Sequence, residues 1–202
     1  IDNIEAFVSG APRNMVALKF REEEGSFLVG AIAALSSPQK TIGFVGGMDI
    51  PLIHKFEAGY RQGALTVCPA CKVLVGYAGT SADAFKNPAR GRELALAQYQ
   101  AGADVVFHAA GSTGLGVFEA AREKNRRAIG VDSDQWDDAP GYMLTSMVKR
   151  IEVSVFNVIS ELREGRFEPG VKVFGLRAGG IDYAYDEPRR GMISMQVRQR
   201  VE

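Results

Sequence analysis

Five short stretches carry residue types that can hold a small molecule or form a bond. Gly111-Ser112-Thr113-Gly114-Leu115-Gly116 is a glycine-rich turn between a strand and a helix. Its free N–H groups can approach a ligand at a helix N-terminus. It is not a GxGxxG fingerprint and no GxxxxGK[ST] occurs, so phosphate binding is unsupported; the plain alternative is a tight turn that needs glycines. In Val131-Asp132-Ser133-Asp134-Gln135 a carboxylate at a strand's carboxyl end can accept two hydrogen bonds from vicinal hydroxyls, as on a ribose. The same residues also suit an Asx turn or a cap. Phe85, in Ser81-Ala82-Asp83-Ala84-Phe85-Lys86-Asn87-Pro88, is an isolated aromatic in a polar loop, either a stacking surface for a flat ligand or an anchor folded back on the core. Asn87 and Pro88 read as the N-cap and first position of the next helix. Gly46-Gly47-Met48-Asp49-Ile50-Pro51 reads as a turn beyond a strand end, lining a cleft or capping a helix.

The fifth stretch is Cys68-Pro69-Ala70-Cys71. One CxxC cannot build a structural zinc site, and neither His54 nor His108 has ligand spacing to it. A redox CxxC usually opens a helix after a strand, whereas this one closes a helix before a strand. It is read as a small structural disulfide, with free thiols as the alternative; a disulfide implies an oxidising compartment. GxSxG, HExxH and paired carboxylates with acid/base spacing are all missing. We therefore assign no catalytic residue, no metal and no cofactor.

Alternating elements must position these residues. Apolar runs at 42–45, 73–75, 105–107 and 128–131 read as buried strands. Helical spacing marks 56–67, 88–101 and 116–124 between and after them. Strands separated by helices imply right-handed βαβ units on a parallel sheet, so 40–135 reads as one Rossmann-like unit. In such sheets ligands sit beyond the carboxyl ends of the strands. Around it lie an acidic lead-in at Glu22, Glu23 and Glu24, an apolar helix at 27–35, a strand at 142–146, an amphipathic helix from Ile151 to a stop at Gly165, and a strand at 171–176.

Composition narrows the function classes. The chain has 202 residues, 46% of them hydrophobic, which excludes a disordered chain. With 24 Lys+Arg against 24 Asp+Glu, the basic excess of a nucleic-acid binder is lacking. No apolar run approaches the roughly 20 residues of a membrane span, so the chain reads as soluble.

Taken in order, these motifs resemble the basic membrane protein family of ABC-transporter substrate-binding lipoproteins. The resemblance rests on Glu23-Glu24-Gly25-Ser26-Phe27-Leu28-Val29-Gly30, Gly43-Phe44-Val45-Gly46-Gly47-Met48-Asp49-Ile50-Pro51, Phe56-Glu57-Ala58-Gly59-Tyr60 and Asn87-Pro88-Ala89-Arg90-Gly91-Arg92-Glu93. It continues through Gly111-Ser112-Thr113-Gly114-Leu115-Gly116-Val117-Phe118-Glu119-Ala120-Ala121, Gly130-Val131-Asp132-Ser133-Asp134-Gln135 and Leu144-Thr145-Ser146-Met147-Val148-Lys149-Arg150. It implies an α/β, type I periplasmic-binding-protein fold, two Rossmann-like lobes with a hinge, closing on ligand. Residues 1–39 and 147–175 would belong to lobe 1, 40–146 to lobe 2, and 176–202 to the hinge crossover and C-terminal tail.

The best-characterised members are purine-nucleoside receptors that pass ligand to a membrane permease. By that resemblance Phe85 is the second-lobe stacker, Asp132 the ribose carboxylate, Gly111 a backbone contact and Lys149 a polar contact near the hinge. Gly46, Gly47 and Met48 would be the cleft-lining turn. The expected ligand is inosine, guanosine or adenosine, and the expected location is extracytoplasmic, lipid-anchored in the full-length form. A sugar or other small polar metabolite on the same fold is the alternative, and a nucleoside-processing enzyme the remote one. The chain opens on Ile1 without a signal segment, ends inside a helical pattern, and is read as a fragment whose first lobe is incomplete.

Overall fold

The computed structural model describes residues 12–186 and 191–202. Residues 1–11 of the expected first lobe and Pro188, Arg189 and Arg190 of the expected tail lie outside the described residues. Among the described residues, eight strands and six α-helices follow one another: β1 (Val16–Phe20), α1 (Glu22–Leu35), β2 (Thr41–Met48), α2 (Pro51–Val67), β3 (Lys72–Gly79), α3 (Pro88–Gln100), β4 (Val105–Ala109), α4 (Gly114–Lys124), β5 (Arg127–Asp132), β6 (Met143–Lys149), α5 (Ile151–Arg163), β7 (Gly170–Phe174), β8 (Ile181–Tyr183) and α6 (Met195–Val201). Among the described residues no helix is long and apolar enough to cross a membrane.

Six strands form one sheet in the order β3-β2-β4-β5-β6-β8; β1 and β7 form a separate parallel pair. All neighbours in the larger sheet are parallel except β8, which runs antiparallel to β6. This parallel sheet is buried on both faces, which is why its strands read as continuous apolar runs. Strand alternation sends Ile42, Phe44, Phe107 and Ile129 to one face, where they pack with Val29 and Ile32 of α1 and Phe56 and Tyr60 of α2. Val45, Val106 and Ala128 go to the other face, against Tyr99 of α3 and Phe118 of α4. The result is a three-layer unit with its open edge at the strands' carboxyl ends.

The packing moves α1 from the first lobe, where the sequence reading placed it, onto the larger sheet: Val29, Ile32, Ala33 and Ala34 share a core with Ile42, Phe44 and Tyr60. The chain passes from the small sheet to the large one between Phe20 and Glu22 and returns after Lys149.

Element starts follow local chemistry. Asn87 Oδ1 accepts a hydrogen bond from the Arg90 N–H at 3.0 Å, and Pro88 occupies the first turn of α3. Asn125 ends α4 in the left-handed conformation, φ 49°. Gly46, Gly47 and Met48, read from sequence as a turn, instead complete β2: Gly46 pairs with Tyr77 and Met48 with Gly79. The turn signal misled because the glycines make room for neighbouring rings; a β-carbon at Gly46 would meet Tyr77 and one at Gly47 would collide with Phe85. Likewise α4 starts at Gly114, so Leu115 and Gly116 are helical, and only Gly111–Thr113 form the turn, as a short 3-10 segment.

Helices α1 and α2 approach until their backbones touch. A β-carbon at Gly30 would overlap the Tyr60 carbonyl, and one at Gly63 the Phe27 carbonyl. Both obstacles are main chain inside helices and have nowhere to retreat. Gly63→Ala is therefore expected to lose about 1–3 kcal/mol by overpacking, outweighing the helix propensity gained. Urea unfolding checks this, and an unchanged or raised midpoint would contradict the close contact.

Candidate functional site

Because β2, β4, β5 and β6 are parallel, Met48, Ala109, Asp132 and Lys149 end on the same edge of the sheet. The segments beyond these ends form two groups. The first is built around Phe85. The loop after β3 makes a 3-10 turn, Ala82–Phe85, pinned to the turn after β4. Ser112 Oγ donates to the Phe85 carbonyl at 2.8 Å, and Thr113 Oγ1 donates to the Ala84 carbonyl at 2.7 Å. Thr113 Oγ1 also accepts from the Asn87 N–H at 2.8 Å. Gly111, at φ 56°, lets the backbone turn beneath Phe85 where an L side chain would be strained. Gly47 leaves the space that the Phe85 ring fills. The structure thus brings Gly47, Phe85 and Gly111 together, with Phe85 half-buried against the core. Met48 ends β2 beside them in sequence, half-buried.

The second group is charged. Asp132 closes β5 with φ 66°, a left-handed conformation that Asp tolerates better than most residues. The Ser133 N–H donates to the Val131 carbonyl at 2.8 Å, making Asp132 the pivot of a tight turn with its carboxylate 57% exposed. Lys149 Nζ lies 3.1 Å from Asp132 Oδ1 and 3.2 Å from Glu22 Oε1. The same ammonium sits 5.2 Å from the Phe56 ring centroid and 5.9 Å from that of Phe20. Asp134, by contrast, accepts from the Trp136 N–H at 3.1 Å, the local turn its spacing also suggested.

Gln135 locks this edge from beneath. Its Oε1 accepts from the Val131 N–H at 2.8 Å and lies 3.1 Å from His108 Nε2, while its own N–H donates to Ser146 Oγ at 3.1 Å. His108 is fully buried, and burial pulls its pKa down to about 4 against opposing pulls from Gln135, Asp132 and Asp138. It is therefore neutral at pH 7.

Glu22, Phe20, Phe56 and His108 escaped the sequence reading. Glu22 lies in an acidic run that reads as a solvated lead-in, yet it is buried. Its partner Lys149 is distant in sequence, and no local spacing announces such a pair. A further polar cluster escaped it too: Tyr77 donates to Glu57 Oε2 at 2.5 Å, and His54 Nε2 pairs with Asp49 Oδ1 at 2.7 Å. Burial and that carboxylate push the Tyr77 phenol well above its ordinary range.

Cys68 and Cys71 are joined as a disulfide across the α2–β3 connection, with Cα atoms 5.3 Å apart. Among the described residues no group of three or more His, Cys, Asp or Glu side chains is arranged to hold a metal ion.

Residues 3–197 match the family model described as ABC transporter substrate-binding protein PnrA-like. The CD4+ T-cell-stimulating antigen of Listeria monocytogenes is 35% identical over 206 residues, covering 94% of this chain and 56% of that protein. The ABC transporter nucleoside-binding protein BmpA of Lactococcus lactis is 34% identical over 192 residues, covering 86% of this chain and 54% of that protein. The chain thus spans little more than half the length of these relatives. Among solved structures, an ABC transporter solute-binding protein from Aeropyrum pernix K1 superposes with a TM-score of 0.76 at 29% identity, over 94% of this chain and 58% of that one.

Proposed function

Since the chain belongs to the PnrA-like family of ABC transporter substrate-binding proteins, we propose that it takes part in capturing a purine nucleoside and delivering it to a membrane permease. The observation that carries this reading is the pairing, on one sheet edge, of a pinned aromatic ring with a carboxylate turned toward solvent. Phe85 supplies a face for the base, Asp132 accepts from the ribose hydroxyls, Lys149 adds a donor, Gly111 offers its backbone, and Gly47 and Met48 line the cleft. The similarity to the nucleoside-binding protein BmpA of Lactococcus lactis supports the same class of ligand. Binding and release need no bond chemistry. We place the protein outside the cytoplasm, held at the membrane by a lipid anchor as is typical of its family. The Cys68–Cys71 bond suits such an oxidising compartment.

Saturation-transfer NMR and calorimetry with inosine, guanosine, adenosine, cytidine and ribose test the proposal on the 202-residue chain. Purine nucleosides should bind more tightly than cytidine or ribose. Phe85→Ala should weaken them by about 1–3 kcal/mol, the usual value of one base–aromatic stack, and leave ribose unaffected. Equal binding of ribose and nucleosides would favour a sugar receptor and remove the stacking role of Phe85.

A further inference from the structure

We infer that Glu22 is a positioning residue for the ligand site, holding the Lys149 ammonium in place while Asp132 exchanges it for ligand; this rests on the proposed roles of Asp132 and Lys149. Glu22 opens α1 where the chain enters the larger sheet from the smaller one, and Lys149 closes β6 where the chain leaves it. The Glu22–Lys149 contact therefore ties together two of the three crossings between the sheets. Glu22 is 5% exposed, so its charge needs support, which the helix N-terminus and the ammonium supply.

Only half of that carboxylate is used. Oε1 faces Lys149 Nζ, whereas Oε2 is buried without a hydrogen-bond partner among the described residues. A native buried oxygen left this way calls for an explanation. Asp104, on the opposite edge of the sheet, shows the ordinary arrangement: Ser37 Oγ and the Gln39 N–H donate to one oxygen and Arg126 to the other. The spare Glu22 oxygen lies on the carboxylate that already holds Lys149, a donor of three N–H bonds with one of its contacts on an exposed partner. When ligand hydroxyls take the oxygens of Asp132, the N–H that Lys149 releases has an acceptor waiting in Oε2. Glu22 thus frees Asp132 without stranding a cation, and keeps the Lys149 ammonium beside the Phe20 and Phe56 rings.

The test compares Glu22→Gln and Glu22→Asp with the parent chain. Inosine affinity by calorimetry should fall about tenfold in Glu22→Gln, one charge-assisted hydrogen bond's worth, and recover in part in Glu22→Asp. In the ligand-free protein the Lys149 ammonium signal, observed by lysine-selective NMR, should broaden or shift in Glu22→Gln and return in Glu22→Asp. A merely structural role would lower the melting point without moving that signal. Inosine affinity within about twofold of the parent, or an unmoved Lys149 signal, would overturn the inference. If the parent chain fails to bind inosine, the nucleoside reading falls, and the ligand-free NMR comparison then decides whether Glu22 holds the Lys149 ammonium.

Discussion

Lys149→Met should destabilise the fold by about 3–5 kcal/mol, the largest loss expected of any single change at this edge. Lys149 is mostly buried, with 16% of its side chain exposed, and the side chain of Glu22 is 6% exposed. Met fills the apolar volume beside Phe20 and Phe56 but leaves the Glu22 carboxylate inside the protein with no cation and little water. Asp132, half in solvent, loses a partner cheaply, as exposed ion pairs contribute little. The damage therefore comes from Glu22, and adding Glu22→Gln to Lys149→Met should restore most of the loss, because exchanging both members of a buried pair for neutral groups is far milder than removing one. Urea unfolding of the three proteins measures it. A loss below about 1 kcal/mol in Lys149→Met would mean that water reaches Glu22 and that the pair is not sealed.

A second large effect is expected on acidification. His108 has a pKa near 4 in the fold, against 6.5 for an ordinary imidazole, because charging it would mean desolvating it among Phe118, Gly114 and Gln135. The neutral form is thus favoured by folding. Above pH 6.5 both folded and unfolded chains carry it neutral and its contribution is fully present. Between 6.5 and 4 the unfolded chain takes up a proton that the folded one refuses, so stability falls as pH falls. The drop from 6.5 to about 4 corresponds to about 3 kcal/mol of stability. Urea unfolding at pH 7.5, 5 and 4 should show this loss, and His108→Gln should flatten that part of the profile while leaving the carboxylate-driven remainder. Identical slopes in parent and variant would contradict a neutral buried imidazole.

Much of the fold was legible because its signals are local. The runs at 42–45, 105–107 and 128–131 announce fully buried strands, and Asn87-Pro88 announces a helix start by satisfying an orphan N–H and fixing φ. What failed locally failed for tertiary reasons. Gly46 and Gly47 look like strand breakers until the Tyr77 and Phe85 rings are seen to occupy their missing side-chain space. The acidic run at Glu22 looks solvated, but α1 starts there and turns Glu22 inward to Lys149. The position of α1 itself was misjudged because small residues such as Gly30 and Ala33 say that something approaches closely without saying what. In the proposed site, Phe85 and Asp132 stand out in the sequence by type and by position beyond strand ends. The buried partners that orient the charged pair do not, since their spacing is set by two separate crossings of the chain.

The β1–β7 pair has a consequence of its own. It is a two-stranded sheet, and its neighbour α5 leaves Ile151, Phe156, Ile159 and Leu162 more than half exposed, while Val173 of β7 is 50% exposed. Isolated two-stranded sheets are marginal in water, whereas the six-stranded sheet is covered by helices on both faces. The β1–β7 pair is accordingly expected to be held less firmly than the larger sheet. Phe20 and Glu22 stand where the chain steps from one sheet to the other, so any loosening of the smaller pair begins within reach of the Lys149 ammonium.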